Sequence, residues 1–498
     1  MLSRRRAGIL LHPTSLPGRF GVGDLGPEAD RFLAWAQSAG QSLWQVLPLH
    51  PTFSGDSPYG AASAFAGNPL LISPERLVED GYLPGSALDG APAFPEGRLD
   101  SAGARPWKEK VLRASWEHSA PAIASRGEFS AFQRADAQAP WLSDWSLFAA
   151  LKRDHPGPWT SWPEELRARR PGALAAARRD LAEEIAWQEY VQFLFFRQWT
   201  DLRAGANRRG IAILGDVPIY VSHDSADVWA RQELFLLDST GMPEAVAGVP
   251  PDAYSANGQL WGYPLYRWDA MERDGFRWWI ARLRQATSVA DAARIDHFRG
   301  FAAGWSVPAS ETSAIAGRWI PGPGVKLFEA VRRELGDLPL VAEDLGVITD
   351  DVRALLAALG IPGMKVLQFG FSEEDSEHLP HRHVANAVVY TGTHDNDTTR
   401  GWFAALAAPE RRRVLDYVGG DGTDIAGDFI REASTSVARL AVAPLQDILG
   451  LGSEARMNTP GVARGNWAWR ATPGALTAEP AERLKRLAAL TGRVEENS

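Results

Sequence analysis

The sequence predicts an α/β fold: a (β/α)8 barrel with large helical insertions forming subdomains around the C-terminal face of its strands. Three observations point there. Short runs rich in Val, Ile and Leu alternate with longer helical stretches, the pattern of βα units around a parallel sheet. Eight such runs can be picked out, the number that closes a barrel. The first polar residues beyond these runs are His, Asp, Glu or Gln, at the strand ends where barrel enzymes carry their chemistry. A chain of 498 residues with 45% hydrophobic and 23% charged residues has the composition of an ordinary globular protein.

The candidate strands are 8–11, 43–47, 211–215, 292–295, 339–342, 364–369, 387–390 and 440–443. A helix over 28–39 follows the first, and one over 350–359 follows the fifth. Two connections are too long for loops. Residues 52–210, rich in helix formers such as 181–202, are expected to form a helical insertion between the second and third strands. Residues 217–290 form another between the third and fourth. The whole chain, 1–498, is thus expected to be a single catalytic domain with insertions.

Composition narrows the function. A net charge of −9 without any basic stripe argues against a nucleic-acid partner. The absence of cysteine removes thiolate chemistry, zinc ribbons and iron–sulfur clusters. The apolar run after Arg4-Arg5-Arg6 stops at His12-Pro13, too short for a signal segment, and no stretch reaches membrane-spanning length. A cytoplasmic protein is expected, without a membrane partner; nothing in the sequence speaks to oligomeric state. Twenty Trp residues stand out, and several lie in polar, Gly/Pro-rich surroundings: Trp159, Trp162, Trp261, Trp467 and Trp469. Such residues either pack under loops or offer flat faces to sugar rings.

The strand ends decide the chemistry. In order, His12, His50, Asp216, Asp296-His297 and Glu343-Asp344 follow the first five runs, Gln368 lies at the end of the sixth, and His394-Asp395 and Gln446-Asp447 follow the last two. One Asp alone commonly caps a helix. Several carboxylates converging on one rim repel each other and lose solvation, so a purely structural rim disfavours them. Glycoside hydrolysis or transfer uses two carboxyls, a proton donor and a nucleophile or base, and a third can hold sugar hydroxyls. A magnesium-dependent barrel is the competing reading. Arg294, two residues before Asp296 on a strand, shares its face and takes the place a cation would occupy. It is expected to depress the Asp296 pKa. No metal or cofactor is expected.

Arg294-Ile295-Asp296-His297, Ala342-Glu343-Asp344, Thr393-His394-Asp395-Asn396 and Gly215-Asp216-Val217-Pro218 resemble the strand motifs of the α-amylase clan. Further stretches resemble the amylomaltase family of 4-α-glucanotransferases. They are Gly8-Ile9-Leu10-Leu11-His12-Pro13, Asp56-Ser57-Pro58-Tyr59, Ser222-His223-Asp224-Ser225, Gly248-Val249-Pro250-Pro251-Asp252 and Trp261-Gly262-Tyr263-Pro264. The resemblance runs from about Gly8 to Arg470. It implies Asp296 as nucleophile, Glu343 as general acid/base and Asp395 as stabiliser of a distorted donor sugar. It implies supporting roles for Asp216, Arg294, His297 and His394, and sugar subsites at Tyr59, Trp261, Asn466 and Trp467. The loop around Asp252 and Tyr254 would cover the acceptor side. Ala253 and Ser54 stand where the family often has aromatics. Maltooligosaccharides and α-glucans are the implied substrates, and 4-α-glucan transfer with retention is the implied reaction.

Other motifs carry less. His378-Leu379-Pro380-His381-Arg382-His383 contains Pro and lacks the helical H-E-x-x-H arrangement of a zinc site. Pro321-Gly322-Pro323-Gly324 lacks the Gly-Lys-Ser/Thr ending of a phosphate loop. A glucan hydrolase using water as acceptor and a glucan-binding scaffold remain the alternatives to a transferase.

Overall fold

The computed structural model describes residues 1–53, 55–251, 255–372, 375–462 and 464–494. Among these, eight strands form one parallel sheet: β1 (Arg6–Leu10), β2 (Leu43–Gln45), β3 (Ala212–Val217), β4 (Ala292–Ile295), β5 (Leu340–Ala342), β6 (Gly363–Val366), β7 (Ala387–Tyr390) and β8 (Leu440–Pro444). Their order is β6-β7-β8-β1-β2-β3-β4-β5. The two ends meet where the Ala342 amide donates to the Pro362 carbonyl at 2.9 Å and the Met364 amide donates to the Asp344 carboxylate at 2.6 Å. The sheet is therefore a barrel, as the eight apolar runs implied.

Strand parity explains the two sides of the wall. Leu10, Leu43, Leu214, Ala292, Val341, Met364, Val388 and Val442 fill the lumen. Ile9, Trp44 and Ile213 point outward into a helical layer, as do Ala293, Ile295 and Ala342 farther round. Gly8 belongs to the lumen side, where an added Cβ would lie 2.6 Å from the Leu43 Cβ and 2.8 Å from its carbonyl oxygen. The barrel interior has no room there.

Two candidate strands end earlier than their apolar runs. The run at 364–369 stops at Val366 and turns through Leu367–Phe371, because the Gln368 side chain donates to the Asp397 carbonyl at 3.0 Å and leaves the ladder. The run at 43–47 leaves the regular ladder at Gln45, and Pro48 offers no amide to extend it.

Between β2 and β3 lie the helices Pro74–Glu79, Ser101–Arg126, Glu128–Arg134, Leu142–Asp154, Pro171–Asp180 and Ala182–Arg208. The last returns along the barrel, with Trp199 against Trp44 and its indole N–H donating to the Val289 carbonyl at 2.7 Å. A four-stranded antiparallel sheet was not legible in the sequence. Its strands, in spatial order, are Gln259–Pro264, Ala245–Val249, Ala303–Pro308 and Arg318–Pro321. Two precede β4 and two follow it, so the pairing joins distant segments. Trp159 and Trp162 are buried core residues rather than sugar faces. Among the described residues no helix is long and apolar enough to cross a membrane.

Candidate active site

The lumen parity continues past the strand ends and delivers the polar side chains to one mouth. Leu214 faces inward, and so does Asp216 two residues on; Ala292 is followed in the same way by Arg294 and Asp296, and Val341 by Glu343. Asp216 and Arg294 also pair directly across the β3–β4 register. Sequence spacing alone therefore accounts for four charged groups at one end of a closed barrel.

Arg294 is buried and holds two carboxylates at once. One guanidinium nitrogen donates to both Asp216 oxygens at 2.8 and 2.7 Å, and the other donates to Asp296 Oδ1 at 2.8 Å. The Tyr59 hydroxyl adds a 2.7 Å bond to Asp216 Oδ2. Burial alone would favour neutral arginine, but Asp216 and Asp296 outweigh it and hold the guanidinium firmly charged.

Asp296 itself departs from the expected depression. Burial pushes its pKa up to about 6, with Asp216 and Asp395 adding in the same direction, and Arg294 offsets only part of this. A single cation shared between two carboxylates cannot outweigh desolvation plus like-charge repulsion. Glu343 is pushed higher, to about 8, by burial and then by Asp296. Its oxygens accept from backbone amides: His297 N at 2.6 Å and Leu345 N at 2.8 Å. Around neutral pH the pair thus holds one proton, on Glu343, with Asp296 ionised.

His297 reaches this position through a left-handed backbone, φ 49° and ψ 50°, which turns its amide toward Glu343. Its ring meets Trp261 edge-on at 4.7 Å, and its buried Nε2 has no hydrogen-bond partner within the protein. Burial holds its pKa down to about 3, so the ring is neutral. Opposite, Tyr59 stacks on His394 at 5.3 Å, and Trp467 lies 5.9 Å from Tyr59 and 5.7 Å from His394. His394 Nε2 is 3.4 Å from Asp395 Oδ2, and the Asp395 side chain remains 46% exposed at the cleft.

The geometry thus brings together Asp216, Arg294, Asp296, Glu343, His297, Trp261, Tyr59, His394, Asp395 and Trp467. Asn466 is used differently: its side chain accepts from Thr459 N at 3.0 Å and donates to the Thr459 and Val462 carbonyls, tying its own loop. Asp252 and Tyr254, with Ala253 and Ser54, lie outside the described residues. Three other rim groups prove to be structural ties. Asp447 accepts from the Thr391 and Thr399 hydroxyls and from Thr399 N. Asp344 closes the barrel seam. His50 bonds the Ala66 carbonyl.

Residue reasoning missed Tyr263, whose hydroxyl donates to the Tyr59 carbonyl at 3.3 Å and whose pKa is raised to about 12 by burial and then by Asp296. Its signal was available, because Trp261 and Tyr263 are two apart on a strand. Asn458 and Arg456, which bond Asp395, gave no such signal. They lie in a polar loop well past β8.

The profile of the 4-alpha-glucanotransferase family matches residues 11–477. A 4-alpha-glucanotransferase of Thermus thermophilus is 49% identical over 98% of this chain and 99% of its own length. One from a Synechocystis species is 50% identical over 99% of each. Among solved structures, the amylomaltase of Streptococcus agalactiae in complex with acarbose superposes with a TM-score of 0.95 at 36% identity, covering 99% of this chain and 100% of that one. With profile, identity and fold agreeing over nearly the full length, the chain belongs to the 4-alpha-glucanotransferase family.

Proposed function

We propose that this chain transfers α-1,4-glucan segments by retaining double displacement, with Asp296 as nucleophile, Glu343 as general acid/base and Asp395 holding the donor sugar. The observation that carries the assignment is geometric: on adjacent strand ends Asp296 accepts from the Arg294 guanidinium and Glu343 from the His297 and Leu345 amides, and burial raises Glu343 further than Asp296. In the first step an Asp296 oxygen bonds the anomeric carbon as the glycosidic C–O bond breaks. The Glu343 proton passes to the departing 4-oxygen. In the second, a glucan 4-hydroxyl gives its proton to Glu343 and bonds the anomeric carbon, and the Asp296 ester bond breaks. Bond made and bond broken are alike, so no external energy or cofactor enters.

Arg294 supports this reading by keeping Asp296 and Asp216 oriented and by stabilising the ionised nucleophile. Maltooligosaccharides are the proposed donors and acceptors, with Tyr59, His394 and Trp467 on the donor sugar and Trp261 with His297 on the Glu343 side. The Asp252 and Tyr254 loop is proposed to cover the acceptor. Product analysis of purified protein on maltotriose tests the reading. Transfer lengthens chains while the number of reducing ends stays constant; hydrolysis raises that number. Growth of reducing ends at the rate of donor cleavage would reassign the protein as a hydrolase. Dialysis against EDTA should leave the rate unchanged, and a loss restored by magnesium would move it to the metal-dependent class.

A further inference from the structure

We propose that Asn458 is a positioning residue for Asp395, and that the loop carrying it sets the donor-sugar pocket as one unit. The inference rests on the role given above to Asp395. Asn458 Nδ2 donates to Asp395 Oδ1 at 2.6 Å, while His394 Nε2 stands 3.4 Å from the other oxygen. The amide nitrogen can only donate, and the carboxylate oxygen accepts. Asp395 is more open than Asp216 or Asp296, and a half-exposed aspartate is free to sample several rotamers. Neighbours on both oxygens select one, and leave the remaining lone pairs for sugar hydroxyls.

The loop behind Asn458 is itself braced. Arg456 bridges the two segments, donating to the Asp395 carbonyl at 2.9 Å and to the Asn458 carbonyl at 2.8 Å. The Trp467 amide donates to the Met457 carbonyl at 2.7 Å, closing the loop's base. Asn466 ties Thr459 and Val462 across its middle. Trp467, at the far end, lies beside Tyr59 and His394 with a left-handed φ of 63°. One closed loop therefore holds the Asp395 carboxylate through Asn458 and presents the Trp467 ring to the same pocket. Preorganisation of this kind acts on the transition state more than on ground-state binding, because the Asp395 contact matters most once the ring distorts.

The test is maltotriose disproportionation by Asn458→Ala, Asp395→Asn and the double variant. Asn458→Ala should lower kcat by about 10- to 100-fold with KM within about threefold of the wild type. Asn458→Asp keeps the shape but sets like charges together, so it should lose at least as much, and it serves if the alanine variant folds poorly. The double variant should be no slower than Asp395→Asn alone, because Asn458 acts only through Asp395. A kcat within twofold of wild type for Asn458→Ala would overturn the proposal. So would an equal fractional loss in the wild-type and Asp395→Asn backgrounds, which marks a merely structural loop. If Asp395→Asn itself retains full activity, the reading of Asp395 falls and takes this one with it.

Discussion

Asp296 and Glu343 carry the same functional group, yet their surroundings give them different protonation states. The proposed mechanism uses ionised Asp296 and protonated Glu343, so kcat/KM should rise with pH through about 6 and fall through about 8. A flat profile across that range would dissociate the pair from the rate. Arg294→Met removes the cation bonded to Asp296, and the rising limb should move up by about one unit or more. Asp296→Asn should keep the fold and abolish transfer, since an amide forms no glycosyl ester. A rate above roughly a tenth of wild type, with deamidation excluded, would remove it from the role. Stability falls as the same proton is lost. Glu343 takes up its proton far more readily in the folded chain than at its ordinary value of 4.5, so its contribution is most favourable at low pH and is lost as pH rises through about 8. Glu343→Gln should therefore melt at a higher temperature than wild type at pH 8 and above, a difference calorimetry would detect. The facing of Arg294 toward Asp296 was legible as a two-residue spacing on a strand. The direction of the Asp296 shift was not, because burial, which outweighs the arginine, appears only once the barrel closes.

At the level of elements, apolar runs announced all eight barrel strands, while the antiparallel sheet left no such mark. Local patterning reports how one segment alternates, and Gln259–Pro264 alternates visibly, with Trp261 and Tyr263 on one side. Its sheet, however, pairs segments on both sides of β4, and no local pattern records a partner about 60 residues away. Trp261 stands on this strand with its ring against His297. A transferase must place an acceptor against water at about 55 M, and effective molarities from positioning exceed that. Trp261→Ala should therefore raise the ratio of reducing ends formed to chains lengthened more than it slows donor cleavage. An unchanged ratio would leave Trp261 as packing alone. In the barrel wall, Gly8→Ala should lose about 1–3 kcal/mol in chemical denaturation, because its methyl would enter the space of Leu43.

The whole molecule depends on how insertions dock against the barrel. Lys108 on the helix Ser101–Arg126 is buried and donates to Asp24 at 2.8 Å and to the Leu70 and Ile72 carbonyls at 2.7 and 3.0 Å. It thus ties the insertion to the loop after β1. Lys108→Met strands Asp24 without its cation and should cost about 3 kcal/mol, measured by denaturant unfolding. The barrel, its eight strands and the carboxylates at their C-terminal ends were legible in the sequence, because strand parity and apolar runs are local properties that survive without a partner. The resemblance of its motifs likewise pointed to the family. Which loop residues reach the cleft depends on how the folded chain carries its loops. Trp159 and Trp162 read from sequence like Trp261 and Trp467, yet the first two are core and the last two face the cleft. Asn458 and Arg456 reach Asp395 from 63 and 61 residues away. A hydrogen bond over that separation depends on where two loops are carried by β7 and β8, and that placement exists only when the barrel has closed.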